Sequence, residues 1–364
     1  MDFEVDKGAL LEPLQLVIGV VERKQTVAVL GNLLVQATDS LCLTGTDQEV
    51  EVSSTIADVE VATEGEVTLP ARKLLDICKS LKDGSRIRFR SEESRVAVTS
   101  GRFRSHLATL PVADFPNVEL VGDAMRFSIP ASELSGLVGQ TGFAMAQQDV
   151  RFYFNGMLLE IEDGELRSVA TNGQRLARSV MTSPGAGSGR FILPRKGVLE
   201  MSRLVQDAEG EVEMAFTDNH ASFAAGNGRL ITKLIDGTYP PYEQAIPSGG
   251  KQILIADRDE LREALSRTAI LSNEMYRNVR LRFAAGELVM HANNPMQEEA
   301  EETLAVEYDG DELEVGFNVV YLVDALSTMK GDRVRMTLTD SNIAAVLDDP
   351  DDGSCIYVIS PMML

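Results

Sequence analysis

At 364 residues the chain is too long for one ordinary domain, and two or three are expected. Hydrophobic residues at 44% and charged residues at 25% suit real buried cores; with no Trp and 5% aromatics, those cores must be built from Leu, Val, Ile and Met. A formal net charge of −22 repels nucleic acid and anionic membranes at long range, so taken alone it argues against a DNA-binding protein.

In chain order, the sequence repeats itself. Phe3-Glu4-Val5 alternates as a short strand, and Leu10, Leu14, Val17 and Val21 then keep one helical stripe. Gly31-Asn32-Leu33-Leu34-Val35 opens a further strand, and the next one ends at Thr46-Asp47. Val67-Thr68-Leu69-Pro70 leads into a helix from Ala71, and Arg86-Ile87-Arg88-Phe89-Arg90 alternates as a half-buried strand. The same order returns with Phe127-Ser128-Ile129, the stripe Leu134, Leu137, Val138 and Thr141, the strand opening at Asn155-Gly156, and Phe191-Ile192-Leu193-Pro194 before a helix. It returns again with Ile253-Leu254-Ile255, Asn278-Val279, Val315-Gly316-Phe317-Asn318 and the alternating Arg333–Leu338. Pro70, Pro194 and Asn318 stand 124 residues apart in turn. A fixed period of this kind means one unit written three times. Each unit is itself two sheet-plus-helix halves, with boundaries near Val121–Ala124 and Ser248–Lys251.

Charge is sorted along this repeat. Residues 71–82 carry +3 and residues 194–205 carry +2, which leaves −27 for the rest, while the equivalent third segment, 319–330, is neutral. Solvated helix faces are the plain reading of one basic helix, but recurrence at one repeat position favours a function. Three like units in a row make a curved body, and if the curve closes with a second copy the product is a ring. Basic helices on the inner wall would tolerate a polyanion in the hole, contacting phosphates without reading sequence. Retention by topology answers the objection from net charge.

With these residues in hand, the chain resembles a known family from Met1 to Leu364: the bacterial DNA polymerase III beta subunit, the sliding clamp. The resemblance is carried by Leu30-Gly31-Asn32-Leu33-Leu34, Leu43-Thr44-Gly45-Thr46-Asp47, Asp114-Phe115-Pro116-Asn117, Gln148-Asp149-Val150-Arg151, Ile192-Leu193-Pro194-Arg195-Lys196-Gly197, Ala269-Ile270-Leu271-Ser272-Asn273-Glu274 and Pro361-Met362. It implies an α+β fold of three tandem clamp domains, 1–121, 125–247 and 251–364, closing as a head-to-tail dimeric ring with helices inside and sheets outside. The function implied is a non-catalytic processivity factor without cofactor or metal. It would encircle double-stranded DNA without sequence specificity and tether the polymerase III catalytic subunit. The clamp loader, other polymerases and repair proteins would bind through short clamp-binding peptides.

Carried over residue by residue, the resemblance points to Lys24, Arg72, Gln148, Phe152 and Tyr153 for DNA, including single strand at a junction. Core packing is the competing reading of Phe152 and Tyr153. The partner-peptide cleft falls on Phe154, Thr171, Gly173, Arg175, Leu176, Pro240, Asn318, Tyr321, Val358, Pro361, Met362 and Leu364. The dimer interface falls on Arg102 and Arg104 facing Glu298, Glu299, Glu301 and Glu302, with Ile270 and Leu271 as apolar anchor. Gln174, Glu243, Gln244 and Met363 depart from the family pattern at the cleft rim.

Other signals carry less. Gly185-Ala186-Gly187-Ser188-Gly189 lacks the Lys-Ser/Thr of a phosphate loop, and Asp348–Gly353 lacks alternating calcium-ligand spacing. His106, His220 and His291 have no ligand or triad spacing. Cys42, Cys78 and Cys355 are scattered, the start at Met1 has no basic-then-apolar segment, and no apolar run nears the ~20 residues that span a bilayer. A soluble cytoplasmic protein is expected. An enzyme assembled between domains would need a cluster of acidic metal ligands, and a protein-only scaffold would make the basic helices incidental.

Overall fold

The computed structural model describes residues 1–22, 26–118, 120, 122–183, 185 and 187–363. Among these are six α-helices: α1 (Lys7–Ile18), α2 (Ala71–Ser80), α3 (Ala131–Gly139), α4 (Arg195–Val205), α5 (Arg258–Ala269) and α6 (Val319–Thr328). Every repeat runs strand, helix, a group of strands, helix and three closing strands.

The strand-to-helix joint that recurs every 124 residues has a backbone cause. Pro70, Pro194 and Asn318 each end a strand and cap the next helix. The prolines fix φ, at −59° and −64°, which presets the turn out of the strand. Asn318 caps with its side chain instead, Oδ1 accepting from the Val320 N–H at 3.0 Å, an interaction worth about 1 kcal/mol over Ala. The start of α5 is made the same way, with Asp257 accepting from the Glu260 N–H at 2.9 Å. Asp259 and Glu260 in its first turn and Arg267 in its last suit the helix dipole.

The two compact units of the chain cut across the repeats. One comprises Met1–Ser135 with Leu193–Leu234; the other comprises Gly136–Ile192 and the residues from Ile235 on. Each repeat splits into two halves, and long sheets join halves of successive repeats. In the first unit an eight-stranded sheet runs Met125–Pro130, Glu211–Phe216, His220–Ala225, Gly228–Lys233, Val50–Ile56, Leu41–Thr46, Asn32–Ala37, Gly65–Pro70. Its five-stranded companion runs Glu60–Thr63, Asp2–Asp6, Arg86–Glu92, Arg95–Ser100, Phe103–Ala108. In the second unit the eight-stranded sheet runs Gly189–Pro194, Gly156–Glu162, Glu165–Thr171, Arg175–Thr182, Asp352–Ile359, Ala345–Asp349, Arg333–Leu338, Gln252–Asp257. A four-stranded sheet, Glu299–Ala305, Glu287–Asn293, Asn278–Ala284, Leu313–Asn318, completes that unit.

The cores are aliphatic, as composition requires, with a few stacked rings such as Phe3 on Phe89 at 4.8 Å. In Arg86–Glu92 the alternation is visible residue by residue: Ile87 and Phe89 are buried between exposed Arg86, Arg88 and Arg90. Burying each such side chain contributes about 1.5–3 kcal/mol. The apolar stripes run past the helices that carry them. Val21 and Thr141 are buried but lie beyond Ile18 and Gly139, where α1 and α3 end. At the first of these ends the Gly19 N–H bonds Leu16 O, so the chain tightens while its apolar spacing continues.

Candidate functional site

In the second unit a turn built by its own side chains supports a pocket. Thr171 Oγ1 donates to Arg175 O at 2.6 Å and accepts from the Gly173 N–H at 3.0 Å. Asn172 Oδ1 accepts from the N–H groups of Gln174 and Arg175 at 3.0 and 2.9 Å. Gly173 sits at φ +87°, a conformation that favours glycine, and a Cβ there would stand 3.0 Å from the Arg151 guanidinium.

The pocket, about 150 Å³, is lined by Phe154, Thr171, Gly173, Arg175, Leu176, Pro240 and Val358 from the expected cleft. Gln174, Tyr239, Pro241, Tyr242, Ala245 and Ser360 complete the lining. Its floor belongs to a buried cluster containing Leu158, Val169 and Ile192. Tyr242 is anchored through its hydroxyl, which donates to Glu160 Oε2 at 2.7 Å. Glu160 is buried yet compensated, with Arg190 at 3.0 Å and Arg167 at 3.3 Å. Burial raises the phenols of Tyr239 and Tyr242, so both present neutral rings to the cavity.

Arg175 is a wall rather than a free cation. Its guanidinium bonds Asp324 at 2.6 Å, donates to Phe143 O, and lies 4.5 Å from the Tyr321 ring centre. Tyr321 therefore stands behind the pocket wall, reaching it through Arg175 and Gln174. Its hydroxyl donates to Gln174 Oε1 at 3.1 Å and accepts from Asn172 Nδ2 at 3.3 Å. Gln174, a departure from the family pattern, is thus tied into the rim. Glu243 and Gln244 are exposed on the turn Tyr242–Ala245. Asn318 serves as helix cap, Pro361 is half-buried, and the Met362 N–H bonds Gly316 O at 2.8 Å. These three, with Tyr321, lie outside the pocket lining. Met363 is fully exposed, and Leu364 lies outside the described residues.

Tyr239 and Tyr242, with Pro241, Ala245 and Ser360, are the lining residues that sequence reasoning missed. The two tyrosines come from an aperiodic segment whose only signal was Pro240 and Pro241 flanked by tyrosines.

The residues expected at DNA divide similarly. Arg72 is exposed on α2 and donates to Val21 O at 2.9 Å, with no carboxylate partner among the described residues. Lys73 and Lys79 are exposed on the same helix, with no ion pair among the described residues. On α4, by contrast, Lys196 meets Glu22 and Asp47, and Arg203 bonds Glu200 at 2.6 Å. Of the surplus of +2 counted on this segment, the Lys196 charge is met by carboxylates from other segments. Gln148 is exposed at φ +58° and Phe152 is 53% exposed. Tyr153 packs edge-on against Phe154 and Tyr239, so core packing describes it better than it does Phe152. Lys24 lies outside the described residues.

Two sheet edges carry the residues expected at a dimer interface. Phe103–Ala108 ends the five-stranded sheet of the first unit, with Arg102 and Arg104 exposed. Glu299–Ala305 ends the four-stranded sheet of the second, exposing Glu299 and Glu301 on one face. Glu302 points to the other face and bonds Arg267 at 2.6 Å, while Glu298 accepts from Asn294 at 2.7 Å. Ile270 is 76% exposed beside half-buried Leu271.

The family models for the DNA polymerase III beta subunit match the chain in order: the N-terminal domain over residues 1–119, the central domain over 128–241 and the C-terminal domain over 243–363. The beta sliding clamp of Pseudomonas aeruginosa is 49% identical over 367 residues, and that of Escherichia coli 43% over 366, each match covering 100% of both chains. A crystal structure of the Pseudomonas aeruginosa sliding clamp bound to griselimycin superposes with a TM-score of 0.96 at 49% identity, again over 100% of both chains.

Proposed function

Because the chain belongs to the DNA polymerase III beta subunit family, the beta sliding clamps of DNA replication, we propose that two copies of it close head to tail around duplex DNA. It is a non-catalytic processivity factor built of three tandem clamp domains. The observation that carries the ring is the pair of free sheet edges, Phe103–Ala108 in the first repeat and Glu299–Ala305 in the third. An unpaired edge is a template for another strand, and these two carry opposite charges.

In the ring, Arg72 with Lys73 and Lys79 on α2 meets phosphate, and Gln148 with Phe152 meets single strand at a junction. The pocket around Leu176 and Tyr242 takes an apolar anchor of a short peptide from the polymerase III catalytic subunit, the clamp loader, other polymerases or repair proteins. The protein acts in the cytoplasm, beside the chromosome.

The test is topological. The protein is loaded with clamp loader and ATP onto nicked circular DNA, which is then linearised. Retention on the circle and loss from the linear product are expected. Equal retention on both would overturn encirclement.

A further inference from the structure

The pairing registers inside this chain specify a third pairing, for which the described residues supply two sheet edges. In the first unit one row of cross-strand neighbours runs Ser128, Glu213, Ala224, Arg229, Ser53, Thr44, Leu34, Thr68. The step from Arg229 to Ser53 passes from the second repeat to the first. In the second unit the corresponding row runs Ile255, Arg335, Asp348, Ile356, Arg178, Val169, Leu158, and the step from Ile356 to Arg178 passes from the third repeat to the second. The third such row is broken in two. One part is Glu4, Arg88, Thr99, Arg104, ending at a free edge; the other is Glu301, His291, Arg280, Gly316, starting at one.

Joining the parts as the other two rows are joined sets Arg104 opposite Glu301. Two residues along the antiparallel pair, His106 then meets Glu299. Burial agrees with that register: Arg104, His106, Glu299 and Glu301 are all exposed, while Ser105 and Ala300 are both half-buried. A slip by one residue would set exposed charges against half-buried positions.

We infer that two copies of this chain pair in that register, so that His106 faces Glu299 of the partner subunit and ring closure is tightened by protonation of His106. This rests on the ring reading above. The surroundings of both groups are charged. His106 Nε2 lies 3.9 Å from Glu92, which is held by Arg95 at 2.7 Å and also feels Arg90, and Arg104 stands two residues away on the same face. Glu299 lies 3.7 Å from His291, which has Glu301 and Arg280 as cross-strand neighbours, Arg280 being paired with Glu314 at 3.3 Å. The carboxylate that closure adds to His106 favours the imidazolium, so closure takes up protons. The gain is present at low pH and is lost as pH rises through the range in which imidazole titrates.

The experiment is sedimentation equilibrium of the full chain at pH 6 and pH 8, wild type against His106→Gln. The wild-type dimer should dissociate about tenfold less readily at pH 6, since a ring closes two such pairs, and the variant should lose most of that difference. Dimers with equal Kd at both pH values, or a variant with an undiminished pH effect, would overturn the inference and leave the ring intact. Monomers throughout at micromolar concentration would overturn the ring reading itself. The register has its own readout. A Ser105→Cys, Ala300→Cys chain should form an intersubunit disulfide under mild oxidation, and a Ser105→Cys, Leu304→Cys chain should not. The reverse result would overturn the register.

Discussion

At the scale of single residues, two equivalent turns show how far one position may vary. Gln48 stands at φ +79° in the turn Thr46–Val50, where Thr46 and Asp47 make the same bonds that Thr171 and Asn172 make around Gly173. A side chain is therefore possible in this turn, at the usual left-handed cost of about 1–2 kcal/mol. Gly173→Ala should lower stability by about that amount in a urea melt and also weaken peptide binding, because the new Cβ presses on Arg151.

Glu200 offers a pH test. It is 3% exposed beneath Gly19, with Arg203 on one oxygen and no partner for the other among the described residues. Burial, the largest influence, pushes its carboxyl above the ordinary value despite Arg203. The folded chain thus holds this proton more tightly than the unfolded chain. Its contribution favours folding at acid pH and turns against it as pH rises through the raised value. Glu200→Gln should accordingly gain stability relative to wild type at pH 8 compared with pH 5, by denaturant melts at each. An unchanged difference would refute the assignment. Cys78 and Cys355 are buried thiols pushed up to about 11, and Cys42 is half-buried. A thiol reagent at pH 8 should find at most one reactive cysteine per native chain and three after denaturation.

At the scale of elements, α2 and α4 are sequence equivalents with different electrostatics. Arg72, Lys73 and Lys79 have no carboxylate partner among the described residues, whereas Lys196 and Arg203 have theirs. Replacing Arg72 and Lys73 by Ala should reduce the salt dependence of duplex binding by about 2 in log–log slope, if both reach phosphate. Replacing Lys196 and Arg203 should change it less. The contrast explains what the sequence conveyed. Strand-to-helix joints were legible because proline and asparagine chemistry acts within a few residues, and alternation marked Arg86–Glu92 and Arg333–Leu338 for the same reason. Charge could be counted along a helix, but its compensation could not, since Glu22 and Asp47 reach Lys196 from distant segments. The pocket lining from Phe154, Thr171 and Leu176 followed from family resemblance. Tyr239 and Tyr242 did not, because an irregular segment leaves no period to read.

At the scale of the whole molecule, two eight-stranded sheets each join four-stranded halves of successive repeats, and the two remaining halves form sheets of their own. Charge reversal tests whether a second copy unites them. Arg104→Glu should raise the dimer Kd at least about tenfold, because it sets like charges opposite one another, and Glu301→Arg in the same chain should restore it. Loss without rescue would mean that Arg104 acts elsewhere.

The ion pairs made by α4 have a mechanical consequence. On the proposed ring reading, Lys196, already matched by Glu22 and Asp47, would trade one anion for another against a passing phosphate, whereas Arg203 stays with buried Glu200. In that reading such an exchange would make a shallow well, holding DNA without resisting movement along it.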